Sequence, residues 1–201
     1  MVVANDAAKT AALIERGADV TAKANSGQTA LSVSATLGGA TPAMRLLVAA
    51  GASAVPQKGV EFNSNPLVYV GFSNDPEAAA ILLDSGASMH QPMMLQGLVP
   101  AMPLTEAVET NAADVLKEYL KRGADPNTVD EVPLLTRAII SNRPEIAKIL
   151  IQAGADPDVV DRYGWTPLRH VQGIEQDADL MSSLIRSASE AKRSKTAGGG
   201  Q

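Results

Sequence analysis

Gly154-Ala155-Asp156 is followed, after Pro157–Val160, by Asp161-Arg162-Tyr163-Gly164-Trp165-Thr166-Pro167-Leu168. The first part of this stretch has counterparts along the whole chain, because Gly-Ala-Asp or Gly-Ala-Ser occurs five times, each time after a short apolar run. The glycines are Gly17, Gly51, Gly86, Gly123 and Gly154, at spacings of 34, 35, 37 and 31 residues. Self-similarity at this period is typical of a stacked array of repeats rather than of one globular core.

A second motif recurs about 21 residues before each glycine after the first. Its copies share a proline–leucine-like start: Thr29-Ala30-Leu31, Asn65-Pro66-Leu67, Met102-Pro103-Leu104, Pro133-Leu134-Leu135 and Thr166-Pro167-Leu168. This pattern resembles the ankyrin repeat over residues 5 to 188. The resemblance implies an all-α solenoid, in which each unit is a β-turn finger followed by two antiparallel helices.

The physical chemistry of each segment agrees with this reading. Proline is favourable in the first turn of a helix, where its missing N–H needs no partner. A second helix starts in the same way at Asp75-Pro76-Glu77 and Arg143-Pro144-Glu145, with a glutamate favourably placed in the helix dipole. Glycine then ends that helix, because the position after the cap needs a left-handed backbone. Each unit is too small to bury its own core, so neighbouring units must stack.

The spacing predicts one array over residues 1–188 and a polar, flexible tail over residues 189–201. The predicted units are a partial repeat at 1–20 and about five repeats at 21–53, 54–88, 89–125, 126–156 and 157–188. The incomplete first unit is explained by a half repeat or by excision from a longer protein, and we favour excision. Asp177–Ala191 is predicted to be a capping helix, with its apolar face formed by Leu180, Met181, Leu184 and Ile185.

Unequal finger lengths indicate where binding loops lie. The finger between Gly51 and Asn65 is about two residues longer than usual, and the one between Gly86 and Met102 about four longer, whereas the next is about two shorter. The long finger includes residues 89–98, which are rich in methionine. Insertions in repeat arrays fall on the loop side, which is often the binding side.

The six aromatic residues give the clearest surface prediction. Tyr119 takes a leucine position of a second helix, so we expect it in the core. Tyr69 and Phe72 fall where first helices of ankyrin repeats face the concave groove, and the alternative is that they only fill helix contacts beneath the finger. Aromatics and arginine often anchor interfaces. The predicted partner-binding residues are Phe62, Tyr69, Phe72, Met93, Met94, Glu106, Glu109, Arg137, Tyr163, Trp165, Arg169 and His170.

Three chemical interpretations compete with simple binding. Glu106 and Glu109 could act as an acid–base pair, but a solvated helix face explains them better. His90 with Met89, Met93 and Met94 would suit Cu(I), whereas an adaptable apolar finger needs no metal. His170, near Asp161 and Trp165, favours a structural or groove role over catalysis. No phosphate loop, nucleophile elbow or zinc-ligand spacing is present in the sequence, so we predict no cofactor, no metal and no enzyme activity.

Composition narrows the classes of partner. A net charge of −5 argues against nucleic acid, because phosphate binding needs a concentrated basic surface. No apolar run reaches membrane-spanning length, and the N-terminus lacks the layout of a signal peptide. We expect a soluble, monomeric array, cytoplasmic by default and extracytoplasmic if the chain is part of a longer exported protein. The absence of cysteine excludes disulfides but does not identify a compartment.

The predicted function is therefore a non-catalytic scaffold that binds another protein, of unknown identity, through groove and fingers, as the family resemblance implies. Two alternatives remain open at this point. One is a regulatory or recognition segment excised from a larger enzyme. The other is a metal- or ligand-binding module that uses the Met-rich finger at residues 89–98.

Overall fold

The computed structural model describes residues 6–25, 28–55, 65–95 and 99–198, which form eleven helices and four short strands. The helices are α1 (Ala7–Glu15), α2 (Ala30–Ala35), α3 (Thr41–Ala49), α4 (Pro66–Ser73), α5 (Pro76–Asp84), α6 (Pro103–Glu109), α7 (Ala113–Lys121), α8 (Leu134–Ile140), α9 (Pro144–Gln152), α10 (Pro167–Val171) and α11 (Ala178–Gly198). The strands are β1 (Met93–Leu95), β2 (Val99–Ala101), β3 (Val129–Asp130) and β4 (Val132–Pro133).

The helices pack as repeats within each of two compact units, residues 1–122 and 123–201. In the first unit α2, α4 and α6 pack in series as first helices, and α1, α3, α5 and α7 pack in series as second helices. In the second unit α8 packs on α9 and α10, and α11 packs on α9 and α10. Since the strands of the described residues lie only in fingers, the prediction of an all-α repeat fold is confirmed.

Glycine ends every second helix that the repeat pattern identified. All five repeat glycines have positive φ, between 83° and 99°, and each follows the capping residue of its helix. The alanine after the glycine then folds back toward the helix; for example, the N–H of Ala52 donates to the carbonyl of Leu47 at 2.9 Å. These alanines are small enough to be buried there, as Ala87 and Ala155 show. The Gly-Ala pair is thus a helix stop and a core contact together.

Capping side chains start three of the first helices, α2, α4 and α10. Thr29 and Thr166 accept hydrogen bonds from backbone N–H groups three residues ahead, and proline occupies the first turn of α4, α6 and α10. Asn65 does more, because its side chain caps α4 and its amide also donates to the carbonyls of Ser88 and Gln91, at 2.9 and 2.7 Å. This buried asparagine therefore ties the start of α4 to the following long finger.

The two fingers that contain strands are antiparallel hairpins. In the long finger Met93 pairs with Ala101 and Leu95 with Val99, so the extra residues predicted from the spacing lengthen a hairpin. In the short finger Val129 pairs with Pro133, and Glu131 at the tip has φ of 55°. The difference in finger length is therefore absorbed outside the helices.

The C-terminal end differs from the sequence-based prediction. A flexible tail was expected from residue 189, but α11 continues to Gly198. Two polar residues in the C-terminal half of α11 contact the turn that follows α9. Ser189 Oγ donates to Asp158 at 2.7 Å, and Lys192 pairs with Asp156. Met181 and Ile185 are buried as expected, but Leu180 is exposed. No helix among the described residues is long and apolar enough to cross a membrane.

Candidate partner-binding surfaces

The first candidate surface lies where α4 packs against α6. Gly71 allows this close approach, because a Cβ at that position would lie 3.0 Å from Thr110 Oγ1 and 3.6 Å from Glu106 Cγ. Tyr69, on the same helix, is only partly buried and packs against a small cluster of Val68, Met93 and Ala101. Its ring therefore bridges the helix and the long finger.

Phe72 is the exposed aromatic of this surface. It is 58% exposed, and it follows Gly71, the position at which an added Cβ would meet the side chain of Glu106. Glu106 is half-buried, and burial, together with the nearby charge of Glu109, raises the pKa of its carboxyl group. We call Tyr69, Phe72, Glu106 and Glu109 the α4–α6 surface. It offers an exposed hydrophobic ring on α4 and a poorly solvated carboxyl group on α6, the helix packed against α4.

Three predicted contact residues are not available on this surface as described. Met93 was expected to contact a partner, but it is 2% exposed because it supports the hairpin from below. A Cu(I) site in this finger would therefore need Met93 to leave the apolar cluster. Phe62 lies outside the described residues, and of Met94 only the backbone in β1 is described.

The second candidate surface is built around Asp161 in the last finger. One carboxylate oxygen of this buried residue accepts the N–H groups of Tyr163 and Trp165, at 2.8 and 3.0 Å. The other oxygen lies 2.7 Å from Nε2 of His170. Burial alone would raise the pKa of Asp161, but the hydrogen bonds from Trp165, His170 and Tyr163 outweigh it and lower the pKa. Gly164, at φ of 72°, completes this tight turn.

Each of the two aromatic rings in this turn has an arginine guanidinium group over one face. The guanidinium carbon of Arg169 lies 4.3 Å from the centre of the Trp165 ring, and that of Arg162 lies 5.1 Å from the centre of the Tyr163 ring. The centre of the Trp165 ring also lies 5.3 Å from the centre of the His170 ring. Tyr163 is 65% exposed and Trp165 39% exposed. We call Arg162, Tyr163, Trp165 and Arg169 the Trp165 finger.

The structure thus brings together Tyr163, Trp165, Arg169 and His170, which the sequence predicted as contact residues one by one. His170 is mostly covered and holds Asp161, so its visible role is to support the finger. Arg162 was missed, although its position beside Tyr163 was a usable signal. Arg137 is half-buried and donates from Nη2 to the carbonyl of Asp130 at 2.8 Å, which ties α8 to the hairpin before it.

The described residues contain no group of three or more His, Asp or Glu side chains arranged to hold a metal ion. The surfaces consist instead of aromatic rings, arginines and isolated carboxylates. These groups suit contacts with another macromolecule better than coordination chemistry.

Comparison with known proteins identifies the type of repeat. Residues 104–192 match the model for ankyrin repeats, in three copies. The fold is similar to the human ASB11 ankyrin repeat domain (TM-score 0.71, 21% identity), with 90% of this chain and 78% of that chain covered. It is also similar to an ankyrin repeat domain from Acinetobacter baumannii AYE (TM-score 0.67, 23% identity), over 89% and 90% of the two chains.

A third similar structure is the ankyrin repeat domain of Bcl-3, a member of the IkappaB protein family (TM-score 0.65, 24% identity, 90% of this chain and 78% of that chain). No curated protein matches the chain in sequence. Residues 104–192 therefore contain ankyrin repeats, and the fold of the chain is that of ankyrin repeat domains. Ankyrin repeats in general mediate protein–protein interaction, and their domains are typically binding modules without enzymatic activity.

Proposed function

We propose that this protein is a non-catalytic module that binds another protein through its first helices and fingers, with the α4–α6 surface as a principal contact. The observation that carries the proposal is the 58% exposure of Phe72 on α4, the helix that packs against α6 and its half-buried Glu106. An exposed large ring and a partly desolvated carboxyl group are each unfavourable for the free protein. A partner relieves both costs when it covers the ring and brings a cation or a hydrogen-bond donor to the carboxyl group.

The chemistry of the surface indicates what the partner presents. An apolar side chain of the partner would pack against Phe72, and a cation or a hydrogen-bond donor of the partner would pair with Glu106. Glu106 forms no ion pair with any residue that the structure describes. A lysine or arginine of the partner would pair with it, and it would set orientation and association rate more than affinity.

Protein is favoured over nucleic acid as the partner because the chain has a net charge of −5 and the α4–α6 surface is acidic. The family's general role supports the same class of partner. We take the isolated array to be monomeric, since its repeats already bury their apolar faces against one another in each unit.

The test is a selection of displayed peptides and small domains on the intact chain, followed by affinity measurements. Phe72→Ala should weaken the selected ligands by about 2 kcal/mol or more if the ring is a hot spot. Phe72 is a better probe than Tyr69, because removing Tyr69 would also disturb the long finger.

Leu180→Ala is the matched control, because it removes an exposed apolar side chain from another part of the fold. Glu106→Gln should slow association without unfolding the protein. The assignment of the α4–α6 surface is wrong if ligands bind the Phe72→Ala and Leu180→Ala variants equally well.

A further inference from the structure

The Trp165 finger carries two arginines that lie over aromatic rings but form no ion pair with a described residue. Neither Arg162 nor Arg169 forms an ion pair with a described residue, and both are exposed. The nearest acidic residue in sequence, Asp161, forms no ion pair with them, and its oxygens accept two backbone N–H groups and face His170. Two unpaired cations side by side with aromatic rings are notable in a chain of net charge −5.

We propose that the Trp165 finger binds an acidic segment of a protein partner, with Arg162 and Arg169 pairing to carboxylates and the rings of Tyr163 and Trp165 covering an adjacent apolar side chain. The proposal rests on the proposed protein-binding function and adds a second contact, of defined chemistry, in the second unit.

The geometry suits carboxylate recognition. A guanidinium that lies over an aromatic ring keeps its N–H edge free for a two-point hydrogen bond to a carboxylate. The ring contact also restricts the arginine side chain before binding, so less conformational entropy is lost on pairing. Asp161 and Gly164 fix the turn, and the finger is therefore preorganised rather than assembled by the partner.

An acidic protein segment fits better than nucleic acid. The turn that precedes the finger carries two carboxylates, Asp156 and Asp158, which share the single cation Lys192. A continuous phosphate backbone would meet these carboxylates as well as the arginines, whereas a short acidic segment need contact only the finger.

The chain itself provides a reporter, because Trp165 is its only tryptophan. The intact protein is titrated with synthetic peptides that contain glutamates and a leucine, and Trp165 fluorescence is recorded. Matched peptides carry glutamine or lysine in place of glutamate, and a short polyuridine oligonucleotide serves as a phosphate probe. We expect a saturable change with the acidic peptides, weakened by added salt, and little change with the other three probes.

Variants assign the effect to the finger. Arg169→Gln and Arg162→Gln should each raise the Kd of the acidic peptides about tenfold, as expected for loss of a charge-assisted hydrogen bond. Arg169→Lys should give an intermediate Kd, because it keeps the charge but loses the planar fork. The matched control is Arg193→Gln, an exposed arginine of α11. Circular dichroism verifies that each variant is folded, as expected for substitutions at exposed positions.

The proposal is overturned if acidic peptides leave Trp165 fluorescence unchanged, if Arg193→Gln matters as much as Arg169→Gln, or if polyuridine binds more tightly. Its failure is distinguishable from failure of the α4–α6 surface. Ligands that depend on Phe72 but do not perturb Trp165 would contradict only the present proposal. Acidic peptides that perturb Trp165 equally in wild type and Phe72→Ala would support it whether or not the α4–α6 surface binds a partner.

Discussion

The hydroxyl of Tyr119 donates a hydrogen bond of 2.8 Å to the backbone carbonyl of Leu67. Tyr119 lies in α7, the second helix of its repeat, and Leu67 lies in the first turn of α4, the first helix of the preceding repeat. Both residues are buried, and burial raises the pKa of the Tyr119 hydroxyl, which keeps it protonated as a donor. This buried polar contact therefore ties two repeats together within the core.

Tyr119→Phe tests the strength of this contact. The variant keeps the ring but removes the donor, so we expect a loss of about 1–2 kcal/mol in the free energy of unfolding. Denaturant titration measures it. Tyr163→Phe removes the same group from an exposed ring and should change stability by less than about 0.5 kcal/mol. Equal stability of the two variants would show that the bond between repeats contributes nothing.

The sequence predicted the repeat fold well because its signals are local. A glycine after an apolar run and a proline before a leucine act within a few residues of themselves, and the five positive φ values show the first of these rules at work. Tyr119 was placed in the core for a similar reason, since a helical repeat position has the same environment in every unit.

The candidate sites were less predictable because they depend on contacts between distant residues. Glu106 is half-buried since Gly71, thirty-five positions earlier, lets two helices approach. Asn74 caps α7 of the following repeat, where its Oδ1 accepts the N–H groups of Asp114 and Val115. Met93 lies in a methionine-rich finger and was predicted to contact a partner, yet its side chain is buried in the hairpin. None of these contacts can be predicted from the sequence of one segment alone.

Gly123 provides a second prediction, about backbone conformation. Its φ is 91°, and no atom lies within 4 Å of the position that a Cβ would take, so any penalty for substitution comes from the backbone rather than from a clash. Gly123→Val should cost about 1–2 kcal/mol, the penalty of a left-handed conformation for a β-carbon.

Gly123→Asn is the control, because asparagine tolerates this conformation and should cost less than valine. Thermal unfolding monitored by circular dichroism compares the two. If asparagine proves as harmful as valine, a tertiary contact rather than the backbone determines the choice of glycine.

Glu106 gives a prediction of pH dependence. Its pKa is raised above the ordinary value of 4.5, chiefly by burial, so the folded state holds the proton more tightly than the unfolded state. Below pH 4.5 the carboxyl group is neutral in both states, and Glu106→Gln should match the wild type. As the pH rises from that value through the raised pKa, the wild type should lose stability relative to the variant, and the difference should then stay constant.

Urea unfolding of wild type and Glu106→Gln over a pH series measures this difference. Glu175→Gln, at an exposed loop position, is the control and should follow the wild-type curve. A Glu106→Gln difference that shrinks with rising pH would mean that the carboxylate is stabilised by a partner in the fold, which would also remove the basis for its proposed pairing with a cation of another protein.

The last turns of α11 are helical in the structure, whereas the polar composition of residues 189–201 predicts a flexible tail. Ser189 is buried and donates to Asp158, and Lys192 pairs with Asp156, so both residues hold α11 against the last finger. A chain that ends after Ala188 loses both contacts and should melt at a lower temperature. A chain that ends after Arg193 keeps them and should melt close to the wild type. Because the buried hydrogen bond contributes about 1 kcal/mol, Ser189→Ala alone should reproduce part of the loss. If both truncated chains melt with the wild type, residues beyond Ala188 add nothing to the fold and the tail is flexible after all.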